Sequence, residues 1–234
     1  MTNDRPISRL YLVMLAAAGL AWLWILTHEP GMNPSLPVFV ATWTVMMAAM
    51  MLPSVLPGTV LFATVSRSRA AFGFRPVPSG IFVTGYLGVW AALGIAVGLV
   101  AQTIMLAPEP RRIAVGIALL FGGGYQLTPL KSRCLAHCRS PLHLFMHRWS
   151  DGVSGAIRLG VHHGLYCVAC CWGLMAALIA LGMMRPAWMG VVALAILAEK
   201  ILPRGRQVGI GIGILLGILG MLVLLKWQPG GMVP

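Results

Sequence analysis

Apolar residues in this chain fall in runs of 15 to 28 rather than in short stripes, and that run length decides what the chain can fold into. A helix crossing a bilayer needs roughly 20 apolar residues, whereas a soluble core is built from alternating or one-sided patterns. Seven such segments can be marked: Leu10–Leu26, Pro37–Thr64, Ser79–Leu106, Ile113–Leu127, Gly160–Met184, Trp188–Leu202 and Val208–Leu225. Only 9% of residues are charged against 59% hydrophobic, far below the roughly 25% charged of a soluble domain. The expectation is an all-α, polytopic transmembrane bundle of about seven helices, a single integral-membrane domain over 1–234. The first helix is expected to be retained, because no small-residue cleavage site follows Trp22-Leu23-Trp24.

The formal charge of +12 would suggest nucleic acid in a soluble protein. Here it is read through loop asymmetry, with Lys and Arg gathering on the cytoplasmic side. With the N-terminus inside, 13 of the 17 basic residues fall in cytoplasmic pieces and 4 outside. The chain is therefore expected to run N-in and C-out, with the lipid bilayer and not nucleic acid as its surroundings. Trp22, Trp24, Trp188 and Trp227 sit near segment ends, where indole rings favour the interface.

All five cysteines fall between Cys134 and Cys171, and five of the six histidines lie in or beside that window. Cys134 and Cys138 are four apart, so on a helix they share a face. They belong to a cytoplasmic Cys/His-containing loop at 128–159, long enough to be functional or partly structured. At 100° per residue, His163, Cys167, Cys170 and Leu174 fall within about 60° of arc, with Cys171 beside them. Thiolates with imidazole suit a soft or borderline ion, Cu(I) foremost and Zn(II) as the alternative. A disulfide framework is disfavoured by an odd cysteine count on the reducing side of the membrane. The candidate ligands are Cys134, Cys138, Cys167, Cys170 and Cys171, with His137 and His163 auxiliary.

On the second segment Trp43, Met47, Met50 and Ser54 align on one face, flanked by Met46 and Met51. Thioethers are soft ligands and also good packing material; Met47 and Met50 are the candidates for a relay. Pro53 and Pro57 are expected to break or kink this helix. Glu199 beside Lys200 is the one carboxylate placed inside a helix end, equally readable as functional or as a cheap interfacial pair. Gly122-Gly123-Gly124 and Gly160-x-x-x-Gly164 predict close helix approach. With five acids in all, hydrolytic sites lack parts; binding rather than catalysis is expected.

Taken together, Trp43-x-x-Met46-x-Ala48-Ala49-Met50-Met51-Leu52-Pro53-Ser54, Tyr125-Gln126-x-x-Pro129-Leu130-Lys131-x-x-Cys134-Leu135-x-His137-Cys138-Arg139-Ser140-Pro141, Gly160-x-x-x-Gly164-x-x-Cys167-x-x-Cys170-Cys171-Trp172-x-Leu174-Met175, Trp188-Met189 and Glu199-Lys200-x-x-Pro203 resemble a bacterial family of unknown function described as predicted metal-binding integral membrane proteins. Ala169 stands where that pattern has glycine, and Arg185 where it has asparagine; neither removes a thiol. The resemblance implies metal binding in the bacterial inner membrane and names no reaction. Three functions remain open. They are soft-metal handling or transfer with a metal chaperone or membrane-complex subunit as partner, membrane thiol-disulfide oxidoreduction, and a non-catalytic assembly subunit holding a structural zinc.

Overall fold

A computed structural model describes residues 5–28, 35–70, 72–104, 111–182 and 185–225. Among these the chain is all helix: α1 (Arg5–Thr27), α2 (Leu36–Ala70), α3 (Ser79–Ile104), α4 (Arg111–Gln126), α5 (Pro129–Arg139), α6 (Leu142–Arg148), α7 (Gly152–Gly182), α8 (Pro186–Ile201) and α9 (Gly205–Leu225). The all-α expectation holds. Five helices are long and apolar enough to cross a membrane, in α1, α2, α3, α7 and α9, and a sixth if α4 and α5 count as one broken span.

That count is lower than the seven expected. α8 has 16 residues, about 24 Å at 1.5 Å per residue, short of the roughly 30 Å of hydrocarbon. α4 also has 16 residues and turns by 67° into α5. The cause of the turn is local. Thr128 caps α5, its Oγ1 accepting the Lys131 backbone N–H at 3.2 Å and donating to the Tyr125 carbonyl at 2.7 Å. Pro129 follows at the first helical position, where its missing N–H costs nothing. Most of the expected 128–159 loop is thus helical, as α5, α6 and the start of α7. Conversely, α2 continues through Pro53 and Pro57 as one helix of 35 residues; the expected break is absent. The expected boundaries at Leu106 and Met184, and also Lys226 and Trp227, lie outside the described residues.

The described residues form two compact units, one from 1–105 and 135–168, the other from 106–134 and 169–234. In the first, α2 packs against α1 and α3. An aromatic core gathers Phe62 of α2, Phe82 of α3, Phe145 of α6 and Trp149, with ring centroids 5.2–6.4 Å apart. The first part of α7 lies hard against α3. A Cβ on Gly160 would come within 2.1 Å of the Phe82 carbonyl oxygen, and one on Gly85 within 2.4 Å of the Ile157 carbonyl. Left-handed Gly73 and Gly152, both at φ 85°, make the turns that end α2 and open α7. At that same end Arg69 grips Asp151 through two bonds of 3.1 and 2.5 Å, and Trp149 Nε1 donates to the same carboxylate at 2.9 Å. These bonds hold the Asp151 carboxyl below its ordinary range.

In the second unit α9 packs against α4 and α8, and the buried residues of α9 are glycines: Gly205, Gly209, Gly213 and Gly220. Gly213 meets the Gly123 carbonyl, and Gly220 meets the Gly116 carbonyl. Such small-residue seams let apolar helices approach backbone to backbone. Gly122 does the same against Gly173, so the close approach expected of the glycine motifs is seen.

Candidate metal centre

α7 is a continuous helix of 31 residues, and Cys167, Cys170 and Cys171 occupy a single turn of it. Their spacing of three and four residues puts the thiols on one face. All three are buried, at 0%, 1% and 1% exposure, and their Sγ atoms lie within 4.8 Å of one another. None of the five cysteines is in a disulfide.

Two tyrosines bond to this stretch of α7, each within its own unit. In the first unit the hydroxyl of Tyr86, a wholly buried residue of α3, lies 3.1 Å from Cys167 Sγ. The same Tyr86 ring and that of Phe82 each stand 5.9 Å from the imidazole of His163, one turn earlier on α7. Gly58 of α2 leaves the space this imidazole fills, for a Cβ there would sit 3.3 Å from it. In the second unit the Tyr125 hydroxyl donates to the Ala169 carbonyl at 2.5 Å, its ring 4.7 Å from Trp172. That side chain is within electrostatic reach of Cys134, Cys170 and Cys171, and the thiol of Cys134 is within reach of Cys170. Cys134 and Cys138, expected in a loop, lie on α5, and both are buried. His137, on the same helix, lies flat against Tyr166 at 4.6 Å. Met47 and Met50 are buried on α2, at 0% and 2% exposure.

Two features were beyond sequence reasoning. Tyr86 stands in an apolar run with nothing to mark it. Lys131 and Lys200 belong to the basic residues expected on the cytoplasmic side, and both are buried. Lys131 Nζ donates to Glu199 Oε2 at 2.6 Å and to Gln126 Oε1, while Gln126 Nε2 donates to Glu199 Oε1 at 2.7 Å. Glu199 is therefore paired with a residue 68 positions away, as well as being the neighbour of Lys200. The resemblance had already drawn Gln126, Lys131 and Glu199 into one pattern, without saying that they touch.

Three buried thiols cannot all ionise without a positive partner. A soft cation supplies it, and sulfur is the donor such cations prefer. Three buried thiols on one helical face could hold a soft metal. The family model of PpoB2, described as a copper chaperone, matches residues 40–223, and the chain belongs to that family. No curated protein and no solved structure matches it.

Proposed function

We propose that this protein binds Cu(I) at Cys167, Cys170 and Cys171, with Cys134 as the fourth donor, and passes it to a partner as a membrane-embedded copper chaperone. The observation that carries the reading is the three buried Sγ atoms within 4.8 Å of one another, in a chain of the copper-chaperone family. Copper is here the cargo. Each thiol binds as thiolate and gives up its proton on loading. Once Cys167 is a thiolate only the Tyr86 hydroxyl can donate across their 3.1 Å contact, and a hydrogen bond to a charged ligand favours the charged form. Cys138 and His163 are auxiliary donors in this reading, and Met47 and Met50 a softer relay on α2.

The long apolar helices and the basic bias of the N-in arrangement support a multi-pass protein of the bacterial inner membrane with a cytoplasmic N-terminus. Arg69 and Asp151, which join the end of α2 to the start of α7, then lie on the cytoplasmic side.

The test is metal content by mass spectrometry on protein purified in detergent under reducing conditions. About one copper per chain is expected after Cu(I) loading, lost in Cys167→Ser/Cys170→Ser and weakened in Cys134→Ser. No bound copper in the wild type would overturn the reading. A reversible disulfide between Cys134 and Cys170 in its place would point to thiol redox chemistry. Zinc that never exchanges would point to a structural site.

A further inference from the structure

Apart from the thiols, three imidazoles stand in file in the first unit. His143 and His147 are one turn apart on α6, both exposed, with rings stacked 4.1 Å apart. The His137 ring meets that of His143 edge-on, at 6.0 Å and 88°, and its own plane is set by the stack on Tyr166. His147 Nδ1 lies 2.9 Å from the His143 carbonyl oxygen. A carbonyl only accepts, so Nδ1 carries the proton and Nε2 is left with its lone pair outward. Metal-ligating histidines are usually oriented this way, the second ring nitrogen tied to a carbonyl. The spacing of His143 and His147 is that by which a helical H-x-x-x-H pair grips zinc.

His162 makes an instructive contrast. Its Nδ1 is bonded to the Arg158 carbonyl at 2.8 Å and its Nε2 receives Arg148 Nη1 at 3.3 Å. Both of its nitrogens are committed. The same bond turns Arg148, the neighbour of His147 in sequence, toward α7.

We propose that His143 and His147, with His137 as third donor, form a second, solvent-facing metal site for a first-row ion that accepts imidazole, copper or zinc. The stacked rings need only swing about exposed side-chain torsions to bring their Nε2 atoms onto one ion. Its role, which rests on the copper reading above, is to take the cargo from water before the buried thiols do. The site lies on the stretch of chain that joins Cys138 to Cys167, and His137 adjoins Cys138 directly.

The full chain in detergent is titrated with Zn(II), and separately with Cu(I), and the bound metal is read by X-ray absorption. Wild type is expected to show one equivalent with sulfur neighbours and a second with imidazole scattering. His143→Ala/His147→Ala loses only the imidazole-bound equivalent, His147→Gln weakens it at least tenfold, and His162→Ala leaves it intact. Wild-type protein without an imidazole-bound equivalent, or a double variant that keeps it, overturns the site. Failure of the thiol reading would remove the sulfur signal and leave the imidazole signal standing, so the two are separable. Stopped-flow Cu(I) loading of the thiols is expected to slow severalfold in the double variant with the same end point. An unchanged rate overturns the loading role.

Discussion

Replacing Lys131 by leucine is expected to destabilise the second unit far more than replacing Lys131 and Glu199 together. Lys131 is 2% exposed and Glu199 1%, and the two meet at 2.6 Å. Removing one member strips a buried charge of its ion-pair partner, which costs about 3–5 kcal/mol. Glu199→Leu is expected to cost the same by the mirror argument. If the two losses were independent, the double variant would lose roughly 6–10 kcal/mol. It should lose far less, because an ion pair exchanged for apolar groups of similar volume is often neutral or better. What remains is Gln126, whose amide oxygen and nitrogen were both used by the pair. An orphaned buried amide costs about 1–3 kcal/mol, which Gln126→Leu in a triple variant should return. The assay is unfolding in mixed micelles against SDS fraction, for the wild type, the two single variants, the double and the triple. Single variants within about 1 kcal/mol of wild type, the range of an exposed pair, would refute the buried network. So would additive losses in the double.

Tyr86→Phe should keep the fold and weaken Cu(I) binding by about 1 kcal/mol, roughly fivefold, read by competition with a chromophoric Cu(I) chelator. Gly160→Val should cost about 3 kcal/mol or more, because its Cβ would meet backbone atoms of Phe82 rather than a side chain that can move; the same micelle unfolding measures it. Asp151 contributes through a depressed folded-state pKa, so its stabilisation is present above the unfolded value near 3.9 and is lost as pH falls through the lower folded value. Asp151→Asn should therefore flatten the acid limb of the thermal midpoint against pH, and an unchanged limb would sink the argument.

What the sequence discloses here is what local pattern can carry. The apolar runs locate α1, α2, α3, α7 and α9, and the three- and four-residue spacings by themselves place Cys167, Cys170 and Cys171 on one face. The five or six spans among the described residues differ from seven at α8 and in joining α4 to α5, because hydrophobic run length does not register a capped turn such as Thr128-Pro129. Nor does it register that the end of α8 is anchored by Glu199. The prolines of α2 do not break it, since a proline in a packed apolar helix can be accommodated by its neighbours. Tyr86, and the partner of Glu199, belong to pairings between distant segments, and nothing in their immediate surroundings announces them.

The placement of three thiols on one turn of α7 also orders events in time. Helix formation takes about a microsecond or less, and it alone brings Cys167, Cys170 and Cys171 together. Cys134 joins only after α5 has docked, and closing so long a stretch of chain is the slower, entropically dearer step. The donor set proposed above is therefore completed in two stages, a local one that survives loosening of the fold and a distant one that does not. For the copper chaperone proposed above, release would then begin at Cys134 while the other three donors keep their register.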